Sequence, residues 1–419
     1  MSYQRFGTPK IYVDNLNWLM SSGHMSASDI TTSGLNMASG YSAIEMFDMK
    51  PSNLQIITAN GLTTQLDLRI NTRVTTNSEQ DSNFIAILGH NLHSAGAKFS
   101  LQLDDDSTIG SPNTNQVTTL TNVVNATTSG TVDSGINLNA SLNNTDSSSE
   151  VNVGSGNGSK FTRGDILEIE DDEGSHAETV FVTATSSDTI TITRGFNGTT
   201  KQSFSSGDDI GFKHYTIPAE DGWSLATFTQ TSDNQYIRLV IDPDGNSTDT
   251  YSSDIKIGAI LIGEAYSFPQ SPELEITKQF TFDGLTKQTS VGGQTYANAT
   301  YTKGANWFLE PFFNSSTATS PDNRFRSGRI AMDLSFNYMA DTDVYSSVLN
   351  SGASVSSNSF INNLISKTNG GMFPMLFQYD NTVTTDEDAF LWCRLNNEPQ
   401  FTQVANRVWS TKLNLVEEF

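Results

Sequence analysis

Two glycines, Gly195 and Gly198, come just after the strand-like run Ile190–Thr193 in the stretch ITITRGFNGTTKQSFSSGDDI. Glycine-rich turns after strands are where many proteins cradle phosphate, provided a helix opens there and aims its N–H groups at the anion. The next residues, TTKQSFSSG, carry no helical stripe, so the stretch reads as a tight turn whose glycines, with Asn197, supply positive φ. A calcium loop is the next chemistry to weigh. Counted from Asp242 in DPDGN, glycine (Gly245) falls at position 4 and Ser253 at position 12, where the loop needs glycine at about 6 and a bidentate glutamate at about 12. That pattern reads as a hairpin turn, with a looser cation site from Asp242, Asp244 and Asp249 left open. His90 and His93 in GHNLH are two metal-type ligands without a third. Glu168 and Glu170 share one face of a strand, as an acid/base pair would, with nothing to set one above the other. Arg163-Gly-Asp is an adhesion-like tripeptide too short to carry weight. Trp18, Trp223 and Trp307 could stack on sugars, with core packing as the ordinary alternative. No GxSxG turn and no Cys/His nucleophile pair stands out. No catalytic, cofactor-binding or metal-binding residue is therefore assigned, and ligand-binding residues stay unknown.

The elements that would position these residues are strands. FIAILGHNL (84–92) is a short apolar run ending in a turn, and AKFSLQLDDD alternates Phe99, Leu101 and Leu103 against Ser100, Gln102 and Asp104, the pattern of a half-buried strand. YIRLVIDPDGN and IKIGAILIGEAYSF repeat strand, turn, strand. DILEIEDDEGSHAETVFVTATSSDTITITRG predicts three strands, the first two paired across the acidic DDEG turn. Ser111–Lys160 is almost all Ser, Thr, Asn and Gly, with apolar residues recurring often enough for short polar-faced strands rather than a bare linker. In GRIAMDLSFNYM, Ile330, Met332, Leu334 and Phe336 share a face. In RVWSTKLNLVEEF, Trp409, Thr411, Leu413 and Leu415 do. One helix is predicted in SFINNLISKTNGG, with Phe360, Ile361, Leu364 and Ile365 at helical spacing and Gly370 to stop it.

Composition agrees with such a chain. Only 16% of the 419 residues are charged, while 36% are hydrophobic and 10% aromatic, enough to build cores behind hydroxyl- and amide-rich surfaces. Acidic residues outnumber basic ones 46 to 23, a net −23, and a field of that sign repels phosphate backbones, which argues against nucleic acid as a partner. The single Cys393 excludes an internal disulfide framework. No apolar run approaches the about 20 residues of a membrane helix, and MSYQRFGTPKIYVDN lacks the apolar core of a secretory signal. Synthesis in a cytoplasm and no membrane insertion are the expectation.

The Gly164-Asp165 strand start, the acidic turn Asp171–Gly174, Val182-Thr183, Thr191–Thr199 and the closing Gly207–Ile210 together resemble a small β-module found repeatedly in bacteriophage tail proteins. A histidine usual before the last Gly-Asp is replaced here by Phe204-Ser205-Ser206. Around it, ILGHNL, AGAKFSLQLDDD, YIRLVI and IKIGAILIGEAY resemble the discoidin-like (galactose-binding-like) sandwich of many phage tail and virion proteins. The two resemblances span roughly 84 to 268, and WSTKLNLVEEF is similar to the last strand of phage tail-tip proteins. They imply an all-β, multidomain fold: a discoidin-like jelly-roll sandwich over 1–106 plus 214–270, an inserted β-module over 107–213, and a β-rich C-terminal sandwich with one helix over 271–419. They imply a non-enzymatic virion component of the tail tip, baseplate or neck, without cofactor, that assembles with itself and with other tail proteins. The alternative is a carbohydrate- or receptor-binding tail protein whose partner is a host-surface glycan.

Overall fold

The computed structural model of the chain describes residues 6–73, 82–104, 120–125, 128–146, 150–161, 163–228, 235–243, 250–280, 286–298, 329–345, 359–383 and 389–418. It is an all-β protein of several sheets, two of them large. One large sheet runs, in spatial order, through Thr277–Phe280, Ile330–Ala340, Val408–Glu417, Phe390–Leu395, Met375–Gln378, Lys10–Asp14, Ala259–Ser267, Phe84–His90, Gly222–Thr227 and Thr121–Val124, with Phe401–Ala405 also on Val408–Glu417. The other runs through Glu150–Asn152, Thr189–Thr193, Ala177–Thr185, Ile166–Glu170, Asp209–Ile217, Ala97–Asp104, Tyr236–Pro243, Leu66–Asn71 and Ile30–Ser33, with Thr128–Asn137 also on Asp209–Ile217.

The two sheets face each other in their middle portions and form a sandwich. Leu66, Leu68, Ile70, Leu101, Leu103, Leu239 and Ile241 from one layer meet Ile85, Ile87, Ile260 and Ile262 from the other in a single core. Each such side chain contributes about 1.5–3 kcal/mol by leaving water. A seven-residue helix, Asn15–Ser21, adds Leu16, Trp18 and Leu19 to this core; Asp14 caps it by accepting the Asn17 N–H at 2.8 Å. Sequence periodicity did not predict it, because it holds only two turns and follows a strand directly.

Both large sheets run across the divisions read from the sequence. Lys10–Asp14 pairs with Ala259–Ser267 on one edge and Met375–Gln378 on the other, so one N-terminal strand joins the sandwich to the C-terminal strands. On the other side, Asp209–Ile217 pairs with Ile166–Glu170 and, through Thr216 opposite Phe99, with Ala97–Asp104. The 107–213 segment also gives Thr121–Val124 to the sandwich, against Gly222–Thr227. Its own core gathers Leu167, Ile169, Val180, Val182, Ile190, Ile192, Ile210 and Phe212 and takes in Val240 of the sandwich.

The predicted strand pairs are present. Ile166–Glu170 lies against Ala177–Thr185 and the latter against Thr189–Thr193. Met332, Leu334 and Phe336 meet Leu413 and Leu415 in the C-terminal core, as alternation requires, and Cys393 is buried among them. SFINNLISKTNGG is helical, but wound as a π turn over Ile361–Ser366 that buries Leu364, with Phe360 beside it in the core and Gly370 beyond at φ 72°. One expectation needs correcting. Ala97–Asp104 is not half-buried: Lys98, Ser100 and Gln102 are as hidden as Phe99 and Leu101. No described helix is long and apolar enough to cross a membrane.

Candidate functional site

Lys98, Ser100 and Gln102 are hidden because the inserted segment lies over the sandwich's outer face and meets polar side chains there. Arg238, in the middle of Tyr236–Pro243, is 1% exposed and stands directly across from Gln102 and Arg69 in the ladder. Its Nη1 donates to Gln102 Oε1 at 2.9 Å, its Nη2 to Gln65 Oε1 at 3.0 Å, and its Nε lies 3.0 Å from Asp67 Oδ2. Gln102 Nε2 in turn donates to the Gly164 carbonyl at 2.8 Å, and Gln65 Nε2 to Asp165 Oδ1 at 3.1 Å. The two amide side chains thus link the sandwich's arginine to the turn that starts the module's first strand. Gly164 has φ 100°, and a Cβ there would stand 2.7 Å from Arg238 Nη1, so backbone freedom and close approach both require glycine. Beside this network Lys98 bonds the Pro243 carbonyl, lies 3.4 Å from Asp242 Oδ2, and stands 4.1 Å from the centre of the Phe212 ring. Three carboxylates (Asp67, Asp165, Asp242) face the buried Arg238 and Lys98 and the half-exposed Arg69. Burial, with Asp165 and Asp242 adding, pushes the Tyr215 phenol well above its ordinary value. A dry cluster of this kind holds two pieces of chain in one relative orientation, because each bond is directional and each unmade bond is costly.

The glycine-rich stretch is a turn, and the anion it could have held is already present. Gly195 (φ 64°) and Gly198 (φ 77°) flank a single 3-10 turn, Phe196–Gly198. The Gly195 N–H donates to Glu178 Oε1 at 2.7 Å and the Gln202 N–H to Glu178 Oε2 at 3.0 Å. Arg194 completes the enclosure: its guanidinium bonds both oxygens of Glu178 and donates to the carbonyls of Asn143 and Gln202, each at 2.6 Å. Glu178 is fully buried. Its carboxylate occupies the anion position and pins the turn to the neighbouring strand.

The remaining candidates are not brought together. His90 is fully buried, with Nε2 2.9 Å from Ser224 Oγ, and burial pushes its imidazole down to about 3. His93 instead places Nδ1 3.0 Å from the Pro218 carbonyl. Among the described residues no three His, Cys, Asp or Glu side chains converge as metal ligands would. Asp242 is tied to Lys98, while Asp244 and Asp249 lie outside the described residues, as does Trp307. Glu168 bonds Thr131 Oγ1 at 2.7 Å and pairs with Lys213, whereas Glu170 is exposed. In Arg163-Gly-Asp, the arginine is exposed and Asp165 is fully buried, so the tripeptide cannot present its carboxylate. Trp18 and Trp223 are core residues.

Open polar clefts lie elsewhere, on the C-terminal sheet. One, of about 590 Å³, is lined by Asn337, Glu398, Gln400, Thr402, Ser410 and Lys412, with Asn397 and Thr411. A second, of about 380 Å³, shares Asn397 and Lys412 and continues along Asp333, Ser335 and Asn414 toward Glu275 and Thr277.

No family model matches the chain, and no curated protein is a detectable relative. The residues sequence reasoning missed are Arg238, Gln102, Gln65, Lys98 and the Arg194–Glu178 pair. The signal was present as charged or amide side chains set within apolar runs (YIRLVI, AKFSLQL, AETVFV), but alternation assigns such residues to solvent unless a second layer covers them.

Proposed function

We propose that the chain is a non-enzymatic structural component of a tailed-phage virion, of the tail tip or baseplate, built as a homo-oligomer that joins other tail proteins. The observation that carries this reading is the uneven placement of exposed large apolar side chains. Seven of them, among them Leu274, Val291 and Met372, belong to residues 271–419, against only Tyr41 and Leu62 in all the described residues before them. Exposed apolar side chains concentrated in one part of the chain are what assembly with other copies or partners covers. The buried clusters at the sandwich and in the inserted segment add support, since they fix geometry rather than expose reactive groups. The likeness of the 164–210 pattern to phage tail modules supplies the setting.

Sedimentation velocity at micromolar concentration tests the assembly, with a discrete oligomer expected. Antibody against the protein should then decorate the tails of particles whose genome encodes it. A monomer at every concentration, together with undecorated particles, would sink the proposal.

A carbohydrate- or receptor-binding tail protein is the alternative. Trp18, Trp223 and His90 are buried and offer it nothing. It has to rest on another surface, and the C-terminal clefts are the observation that keeps it in play.

A further inference from the structure

The two C-terminal clefts form one groove, divided only by Lys412 and Asn397, on the outer face of the paired strands Ile330–Ala340 and Val408–Glu417. We propose that this groove binds a neutral oligosaccharide. The inference rests on the sugar-binding alternative above, and its binding assay is read separately from the test of assembly.

The floor presents its side chains to a ligand. Ile330–Ala340 is paired to Val408–Glu417 on one edge and, over Ile330–Asp333, to Thr277–Phe280 on the other. Val408–Glu417 is likewise paired on its far edge, to Phe390–Leu395 and Phe401–Ala405. A ligand lying across the face of these strands meets side chains that stand out from the sheet rather than main-chain groups within it. Those side chains are amides and hydroxyls: Asn337, Gln400, Thr402 and Ser410 in the larger cleft, Thr277 and Ser335 in the smaller. Each can donate and accept, which matches sugar hydroxyls that do the same. Along the whole groove Glu398, Glu275 and Asp333 outnumber Lys412, so anionic sugars are disfavoured.

The groove is also held in shape. Asn397 accepts the Asn414 N–H at 2.7 Å and donates to the Lys412 carbonyl at 3.1 Å, which ties the 396–400 connection to the floor. A wall fixed before binding lowers the ordering cost of the complex, and the volumes fall within the range of small-ligand sites. An exposed aromatic residue follows the lining residue Asn337 in the chain. Tyr338, next to Asn337 in a bulge between Phe336 and Met339, is 76% exposed and has φ 62°, a conformation bulky residues rarely adopt. An exposed ring one residue from the groove lining is suited to the apolar face of a sugar.

The full chain would be titrated with maltotriose, chitotriose and a galactose-based trisaccharide, followed by saturation-transfer NMR and calorimetry. At least one should bind, and Gln400→Ala with Lys412→Ala should weaken that binding about tenfold, as loss of two hydrogen bonds implies. Tyr338→Ala should weaken it as well. All three side chains are exposed, so an unchanged circular dichroism spectrum is expected and confirms that the fold is intact. Absence of binding by all three sugars at about 10 mM, or binding that the variants leave unchanged, overturns the proposal. So does a change of oligomeric state in the double variant, which would assign the groove to a contact between copies.

Discussion

The sandwich is joined to its neighbours at two places, and the same device serves both: a strand that belongs to both sides, Lys10–Asp14 at the C-terminal joint and Asp209–Ile217 at the joint to the inserted segment. The side chains that fill the joints differ in balance: the C-terminal joint is mostly apolar, with the Lys367–Glu264 pair and the Tyr12–Gln378 bond at its edges. At the C-terminal joint Tyr12 of the shared strand lies 5.2 Å from Phe84 and 6.1 Å from Phe390, and Phe390 lies 5.1 Å from Trp223. Trp392, Leu376, Leu88 and Leu261 complete an apolar cluster drawn from both sides. At the other joint sit Arg238, Lys98, Asp67, Asp165 and two glutamines. Apolar burial is strong but indifferent to direction; a buried ionic network adds little net stability yet accepts few alternative geometries. We infer that the first joint supplies cohesion and the second sets the orientation of the inserted segment.

If that contrast is right, the largest loss should come from the apolar joint. Trp392 is fully buried, and Trp392→Ala should cost about 3–5 kcal/mol, seen as a fall in the main calorimetric transition. The polar joint should respond differently. Arg238→Met removes the fully buried partner of Asp67 and leaves Gln65 and Gln102 without their acceptor roles, while Arg69 still pairs with Asp67 at 2.7 Å. A cost of about 3 kcal/mol is expected, at the low end for a broken buried pair. Its signature should be a split melt, with the inserted segment unfolding ahead of the rest. A single transition lowered as a whole would show that the network contributes cohesion after all, and the contrast between the joints would fail.

The difference between the joints also accounts for what could be read in the sequence. Ile166–Glu170 and Val408–Glu417 were legible because their apolar residues repeat at the strand period, and Phe84–His90 because it is a short apolar run bounded by a turn; neither signal needs knowledge of neighbours. The polar joint was not, because Arg238 and Gln102 obey that same alternation and are hidden only by residues more than 60 positions away in the chain. Gly164 and Asp165 were noticed as the start of a module strand, but nothing local says that they face an arginine. The C-terminal groove was invisible for a related reason: Asn337, Gln400 and Ser410 are ordinary surface residues until three strands bring them together.

Gly164 offers a gentler probe of the same joint. Gly164→Ala adds one methyl in a left-handed conformation and brings it against the Arg238 guanidinium. The guanidinium is held by Gln102, Gln65 and Asp67, so the cost should be about 2 kcal/mol, from backbone strain and displaced bonds. If the network sets orientation, hydrogen exchange should quicken at Ile166–Glu170 and at Gln102 while the C-terminal strands keep their protection. Equal quickening on both sides would mean that the joints are not separate.

The smallest effect at neutral pH, and the most specific, concerns His90. This residue lies in the sandwich between the two joints and bonds Ser224 on the neighbouring strand. Burial holds its imidazole down to about 3, against an ordinary 6.5. The unfolded chain therefore binds a proton below about 6.5 that the folded chain refuses. Stability from this group is complete above the unfolded value and is lost as pH falls, by about 1.4 kcal/mol for each unit down to the folded value. Asp14 works in the opposite sense: burial raises its carboxyl from 3.8 to about 6, so its contribution falls as pH rises through that window. The two slopes oppose each other between about pH 4 and 6. His90→Gln keeps a polar side chain near Ser224 and should cost only about 1 kcal/mol at pH 7. In urea titrations at successive pH values its deficit should shrink and then reverse on acidification, because the glutamine has no proton to gain. A deficit that stays constant from pH 7 to pH 4 would show that His90 accepts its proton in the folded state and that the sandwich interior is wetter than its packing indicates.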